Sequence, residues 1–136
     1  MGATRPLAGS GGPGLPIWTN TATQAARRVI AWIARQPYGN ALARTVEIDQ
    51  AARAAARNPG VRPVFARRAG QDLRARRAGK KLLVIDWWDQ QKTGDVVIVY
   101  VTHASRRIIA PGAATVRQAL QGRASPPSTP RPRRRS

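Results

Sequence analysis

Only one side chain in this chain has an ordinary pKa near neutrality, and it closes an apolar run. In "VVIVYVTHASRR", residues 96–107, His103 ends the run and Arg106 and Arg107 follow almost at once. A histidine beside arginines is equipment for metal-free RNA cleavage. The imidazole would act as general acid or base, and the guanidinium groups would stabilise a pentacovalent phosphate. That chemistry also needs a base for the 2′-hydroxyl, and no Glu or Asp is evidently placed to serve. The alternative is structural: a lone histidine at a strand end is more often a packed, hydrogen-bonded imidazole whose surroundings set its charge.

Further cations gather upstream. Arg67, Arg68, Arg74, Arg76, Arg77, Lys80 and Lys81 crowd one hairpin, and Arg106 and Arg107 leave the last strand. In an antiparallel meander they would converge on one face and attract phosphate. The bland alternative, for any one of them, is a solvated surface charge. Trp87, Trp88 and Tyr100 have faces on which bases can stack, but their place inside strong strands favours core packing for at least two of the three.

Other chemistries lack their parts. There is no Cys and one His, so neither a thiolate metal site nor a structural zinc site is expected. No G-x-S-x-G elbow occurs. Gly9, Gly11, Gly12 and Gly14 follow no strand, so they form no phosphate loop, and no cofactor is expected. Glu47 and Asp49 sit on one helix, where acids usually face solvent.

Charge dominates the composition. The chain has 24 Lys+Arg against 6 Asp+Glu, a net +18. Residues 15–110 alone hold 17 Lys+Arg and all 6 acids, about +11. Such a chain should meet polyanions, whether nucleic acid, an acidic protein or an anionic surface. Arginine dominates, with only Lys80, Lys81 and Lys92 as exceptions, and it binds phosphate or carboxylate in bidentate fashion. A GC-rich genome would explain arginine over lysine but not the shortage of acids. No apolar stretch reaches membrane-spanning length, and the N-terminus lacks the apolar core of a signal peptide. A cytoplasmic protein is expected.

The elements that must position these residues follow from pattern. The 136 residues suit one domain with a modest core. Residues 1–14, rich in Gly and Pro, are expected to form a disordered leader. Residues 111–136, ending in "SPPSTPRPRRRS", are expected to form a disordered basic tail touching nucleic acid loosely through Arg133, Arg134 and Arg135. A short helix over Ala114 to Leu120 is the alternative there.

Between these ends "LPIWT" reads as a strand, and Thr19, Asn20 or Thr21 can cap the helix that follows. Ala22, Ala26, Val29, Ile30 and Ile33 recur at helical spacing to about Arg35, and Trp32 widens the stripe. Pro37 and Gly39 end it. A second helix is expected from about Asn40 to Arg57, with Leu42, Val46, Ile48, Ala52 and Ala55 as a small-residue face, until "NPG" stops it. Small faces predict close approach of the two helices as an antiparallel hairpin. Strands are expected over 61–66, 72–77, 81–88 and 95–103, the last two strong and joined by "DQQKTG". Asp86 interrupts the first of this pair, so it should reach an edge or pair with an arginine. The fold class is thus α+β: an N-terminal strand, then an antiparallel helix hairpin packed on a three- to four-stranded antiparallel sheet.

This order, with its local residues, resembles the RelE/ParE superfamily of toxins. "IWTNTA", residues 17–22, is similar to their opening strand-to-helix junction, where a Trp-Thr pair is followed by Ala four residues after the Trp. "VVIVYVTHASRR" is similar to their last strand, which closes on His-x-x-Arg, here His103 and Arg106. "NPGVR" stands where many members have Pro then Gly-Arg. The resemblance covers residues 15–108. Ala25 and Ala26 stand where Asp-Leu is frequent, Val61 splits the Gly-Arg pair, and Trp87 and Trp88 stand near the tyrosines of the penultimate strand.

The resemblance implies the toxin of a type II toxin–antitoxin module, held inactive by a cognate acidic antitoxin. One branch poisons DNA gyrase without being an enzyme; the other cleaves mRNA on the ribosome. The gyrase branch is favoured, because the opening and ending match it and the acid or tyrosine of a ribonuclease is not evident. Arg74, Arg76, Arg77, Lys80, Lys81, Arg106 and Arg107 are the expected target or nucleic-acid contacts, and no catalytic residue is assigned. The ribonuclease alternative would use His103 with Arg74, Arg76, Lys81 and Arg106. A non-toxic basic nucleic-acid-binding protein is the remaining alternative.

Overall fold

A computed structural model describes residues 14–104 and 110–121. The element order is β1 (Ile17–Trp18), α1 (Asn20–Ala34), α2 (Ala41–Arg57), β2 (Val64–Arg68), β3 (Gln71–Ala78), β4 (Leu82–Trp88), β5 (Val96–His103) and α3 (Ala113–Ala119).

Local chemistry sets the helix ends. The Thr19 side chain accepts a hydrogen bond from the Ala22 N–H at 3.0 Å and donates to the Ile98 carbonyl at 2.8 Å. One buried hydroxyl therefore starts α1 and ties it to β5. Asn40 caps α2 in the same way, accepting from the Ala43 N–H at 3.0 Å. At the far end of α2 the chain turns through Gly60, whose φ is +82°. An added Cβ there would stand 2.7 Å from the Trp88 ring, so both backbone and space require glycine.

The sheet has five strands in the order β1-β5-β4-β3-β2, and it is mixed. Three neighbouring pairs are antiparallel, but β1 runs parallel to β5, with Ile17 opposite Val97 and Trp18 opposite Ile98. This corrects the expected three- to four-stranded antiparallel sheet. A parallel neighbour needs a long crossover, and the intervening chain with its helices supplies one. The two-residue β1 carries no local mark of its partner or its direction.

Both faces of the sheet are covered. Under α1 and α2 lies one cluster of buried side chains, including Trp18, Ala22, Val29, Ile33, Ile48, Ala52, Leu82, Val84, Ile98 and Val101. On the opposite face Ile17, Leu73, Ile85, Trp87, Val97 and Val99 pack with Val116, Ala119 and Leu120 of the α3 region. The stretch expected to be a tail from residue 111 therefore contributes core. Val116 is fully buried, and α3 closes the face that the helix hairpin leaves open. Residues 1–13 and 122–136, the rest of the expected leader and tail, lie outside the described residues.

The expected face of α2 is revised. Leu42 and Val46 are 77% and 46% exposed, while Ala51 joins Ile48, Ala52 and Ala55 in the buried stripe. The small residues pack in one cluster with α1 and the sheet, so they serve the helix–sheet contact as well as the expected approach of the two helices, and a groove of about 570 Å³ opens between α1 and α2.

A bulge decides where His103 points. Across β4 and β5, Ile85 opposes Tyr100 but Asp86 opposes Ile98, so Val99 is an extra residue. Val99 and Tyr100 both pack on the α3 side, and alternation resumes with Val101 on the helix-hairpin side. His103, two residues on, consequently stands on the hairpin side.

Candidate functional site

The cations expected to share one face are divided. Strand alternation puts Arg74 and Arg76 on the hairpin side with Ala78, and Arg77 on the other side. Arg77 is exposed and donates from Nη1 to the Lys80 carbonyl at 3.1 Å, while Lys80 and Lys81 are exposed in the β3–β4 turn. Arg67 is bound to Asp72 at 2.7 Å, and Arg68 donates to the Arg67 carbonyl at 2.9 Å. Arg106 and Arg107 lie outside the described residues.

Arg74 and Arg76 belong to a polar patch set into an otherwise apolar surface. Arg74 faces Asp86 directly across β3 and β4. Its Nε donates to the Arg62 carbonyl at 2.7 Å, and its guanidinium carbon lies 5.7 Å from the centroid of a Trp88 ring. Asp86 is 5% exposed. Burial pushes its carboxyl from an ordinary 3.8 up to about 7, against the opposing pull of Arg74 and Arg76. The expectation that Asp86 would reach an edge or pair with an arginine resolves as a buried carboxylate on a central strand, facing arginines across the ladder. Neighbouring Arg76 has a buried Nε with no hydrogen-bond partner among the described residues.

His103 is not part of this patch. It opposes Leu82 at the far end of the β4–β5 ladder, whereas Arg74 opposes Asp86 and Arg76 opposes Val84. Two strand spacings, about 10 Å, separate β5 from β3, with Leu82 and Val84 of β4 between them in the core. Lys81 meets this end of β5 through its backbone, its carbonyl accepting from the Ala104 N–H at 2.7 Å. The side chain that His103 does meet is Trp32 of α1, edge to face, with ring centroids 5.1 Å apart and planes at 85°.

The three aromatic residues considered for base stacking are all packed. Trp87 is buried against the α3 side, where Tyr100 is half-buried. Trp88 is half-buried on the hairpin side, its indole N–H donating to the Gly94 carbonyl at 3.2 Å. Glu47 is partly buried, whereas the Asp49 side chain is 43% exposed. Glu47 pairs with Arg44 at 2.6 Å and lies over Gly79, and Asp49 pairs with Arg53 at 2.9 Å. Among the described residues no group of three His, Asp or Glu side chains could hold a metal ion.

What the sequence pattern missed is the surface of the helix hairpin. Trp18 reaches into the groove there, with Ala26 and Ile30 from α1 and Val46 and Ile48 from α2 lining it. Arg27 and Asp49 are its charged members. Leu42 and Val46 leave further apolar surface open on α2. The available signal was an excess of apolar residues over what one buried stripe on each helix can use. Compared with known proteins, the chain matches no family model and no curated protein.

Proposed function

We propose that this protein is the toxin of a type II toxin–antitoxin module, of RelE/ParE type, acting in the cytoplasm. It blocks growth by binding DNA gyrase and is neutralised by an acidic antitoxin. The observation that carries the proposal is the apolar groove between α1 and α2, on a chain of net charge +18. An antitoxin segment that is disordered alone and folds on its toxin needs apolar pockets to bury side chains and surrounding cations to match its acids. The element order supports the same reading: an opening strand, a helix hairpin and a meander ending at His103. Binding is favoured over RNA cleavage because His103, Arg74 and Arg76 stand apart, and His103 is engaged with Trp32.

Inducible expression in a bacterial host, with DNA and protein synthesis followed separately by label incorporation, tests this. DNA synthesis is expected to fail first, and His103→Ala to leave toxicity largely intact. Protein synthesis failing first, with His103→Ala harmless, would replace it with the ribonuclease reading. Normal growth would remove the toxin reading altogether.

A further inference from the structure

The chain has four tryptophans, and the fold treats one differently. Trp18 and Trp87 are 3% and 8% exposed, and Trp88 is half-buried under Gly60, but Trp32 is 47% exposed. It flanks the buried stripe of Ala22, Ala25, Ala26, Val29 and Ile33, two turns beyond Ala25 on the helix. An indole half in water forgoes much of the burial its size allows. Its ring is nonetheless held in place, because His103 of β5 packs against it edge to face.

Its neighbours on the helix are cations. Arg28 lies one turn before Trp32, and Arg35, the C-cap, one turn after, so the three form a stripe with a span of about 10 Å. All three are exposed. No Asp or Glu occurs in α1. Among the described residues neither Arg28 nor Arg35 is in an ion pair. On α2, by contrast, Arg44 and Arg53 each have an acid on the same helix.

We infer that the outward face of α1 binds single-stranded nucleic acid, with Trp32 stacking on a base and Arg28 and Arg35 contacting the flanking phosphates. A fixed aromatic face between two unpaired guanidinium groups matches the alternation of base and phosphate along a strand. A duplex keeps its base faces stacked on each other, so a single ring on a convex helix would find them only in an unpaired strand. An acidic peptide would use the arginines but leaves the ring without a partner. His103 is a positioning residue here, and the ring it orients has less freedom to lose on binding. The surface is separate from the proposed antitoxin groove and can be tested on purified protein with neither gyrase nor antitoxin present.

The test is fluorescence anisotropy of labelled oligothymidylate and oligouridylate with the full chain, over a series of salt concentrations. Trp32→Ala and Trp32→Leu should each weaken binding about 10-fold, while Trp32→Phe keeps most of it. Leucine keeps apolar bulk against His103 but has no aromatic face, so it answers the question if alanine disturbs the fold. Arg28→Gln and Arg35→Gln should each lower the logarithmic salt slope by about 0.7. Three results would overturn the inference. One is a native chain that binds neither oligonucleotide. Another is Trp32→Leu binding as tightly as the native chain, which places binding elsewhere, such as Arg133 to Arg135. The third is polyglutamate binding with the same dependence on Trp32, which makes an acidic protein the partner.

Discussion

The two faces of the central sheet both carry buried side chains but are composed differently. On the α3 side the strands present Leu73, Ala75, Ile85, Trp87, Val97 and Val99, and the charged Arg77 on that face is exposed. On the helix-hairpin side, Leu82, Val84, Ile98 and Val101 share the surface with Asp86, Arg74 and Arg76, and His103 stands at its end. A short helix suffices to seal the first face because only apolar area has to be covered. The second face needs two long helices, and they do not close over it completely, since a groove remains between them. A sealed apolar face and a partly open, partly charged one thus lie on opposite sides of one sheet.

The sharpest way to break this division is to damage the apolar face. Ile85 is fully buried there, and Ile85→Ala should cost about 2–5 kcal/mol through lost burial and the cavity left behind. Urea unfolding would show it as a lower midpoint with an unchanged slope. A smaller cost would mean that α3 shifts to fill the space.

The hairpin face should differ in its response to pH. Asp86 ionises near 4 in the unfolded chain, as a free carboxyl does, whereas its folded carboxyl is pushed up to about 7. Between about pH 4 and pH 7 the folded state therefore holds a proton that the unfolded state has lost. This contribution to stability is complete below about pH 4, declines toward pH 7 and is gone above it. Its size is at most about 4 kcal/mol. Thermal melts from about pH 5 to 8 would isolate the decline, since ordinary carboxylates have finished titrating by then. Asp86→Asn should flatten it. An equal slope in both proteins would mean that Arg74 and Arg76 keep the carboxylate charged in the folded state.

A smaller effect is expected at the seam between the helices and the sheet. Thr19→Ala removes both the α1 cap and the hydrogen bond to Ile98 and should cost roughly 1–2 kcal/mol. Hydrogen exchange would locate the loss in the first turn of α1 and at β1. Least of all, Arg53→Ala breaks an exposed pair with Asp49 and should change stability by about 0.5 kcal/mol or less. A larger loss would show that α2 depends on its surface charges as well as on the sheet.

Several features were legible because their signals are local. Thr19 as a cap, α2 stopping at "NPG", and the strength of β4 and β5 all follow from residue type and spacing within one turn or one strand. Placement of the site residues was not. Alternation alone would carry His103 to the α3 side, and the extra residue Val99 moves it to the other. Nothing in "VVIVYV" marks which valine is the extra one, because every residue in the run is compatible with a strand. The convergence expected of Arg74, Arg76 and Arg77 failed for a related reason. They share a strand, but neighbours on a strand face opposite ways. α3 is hard to read locally because "AATVRQA" is short and sits in a basic, Pro-rich stretch, and its role depends on an apolar sheet face far away in sequence.

By itself, then, the sequence determined the kinds of element, most of their limits and the excess of positive charge, since these depend on interactions over a few residues or on counting. Only the tertiary structure decided the parallel seat of β1, the seal by α3, the burial of Asp86 beside Arg74 and Arg76, and the contact of His103 with Trp32. Each of these joins residues distant along the chain. Which pairings win depends on how the whole apolar surface is shared out, and no local stretch carries that information.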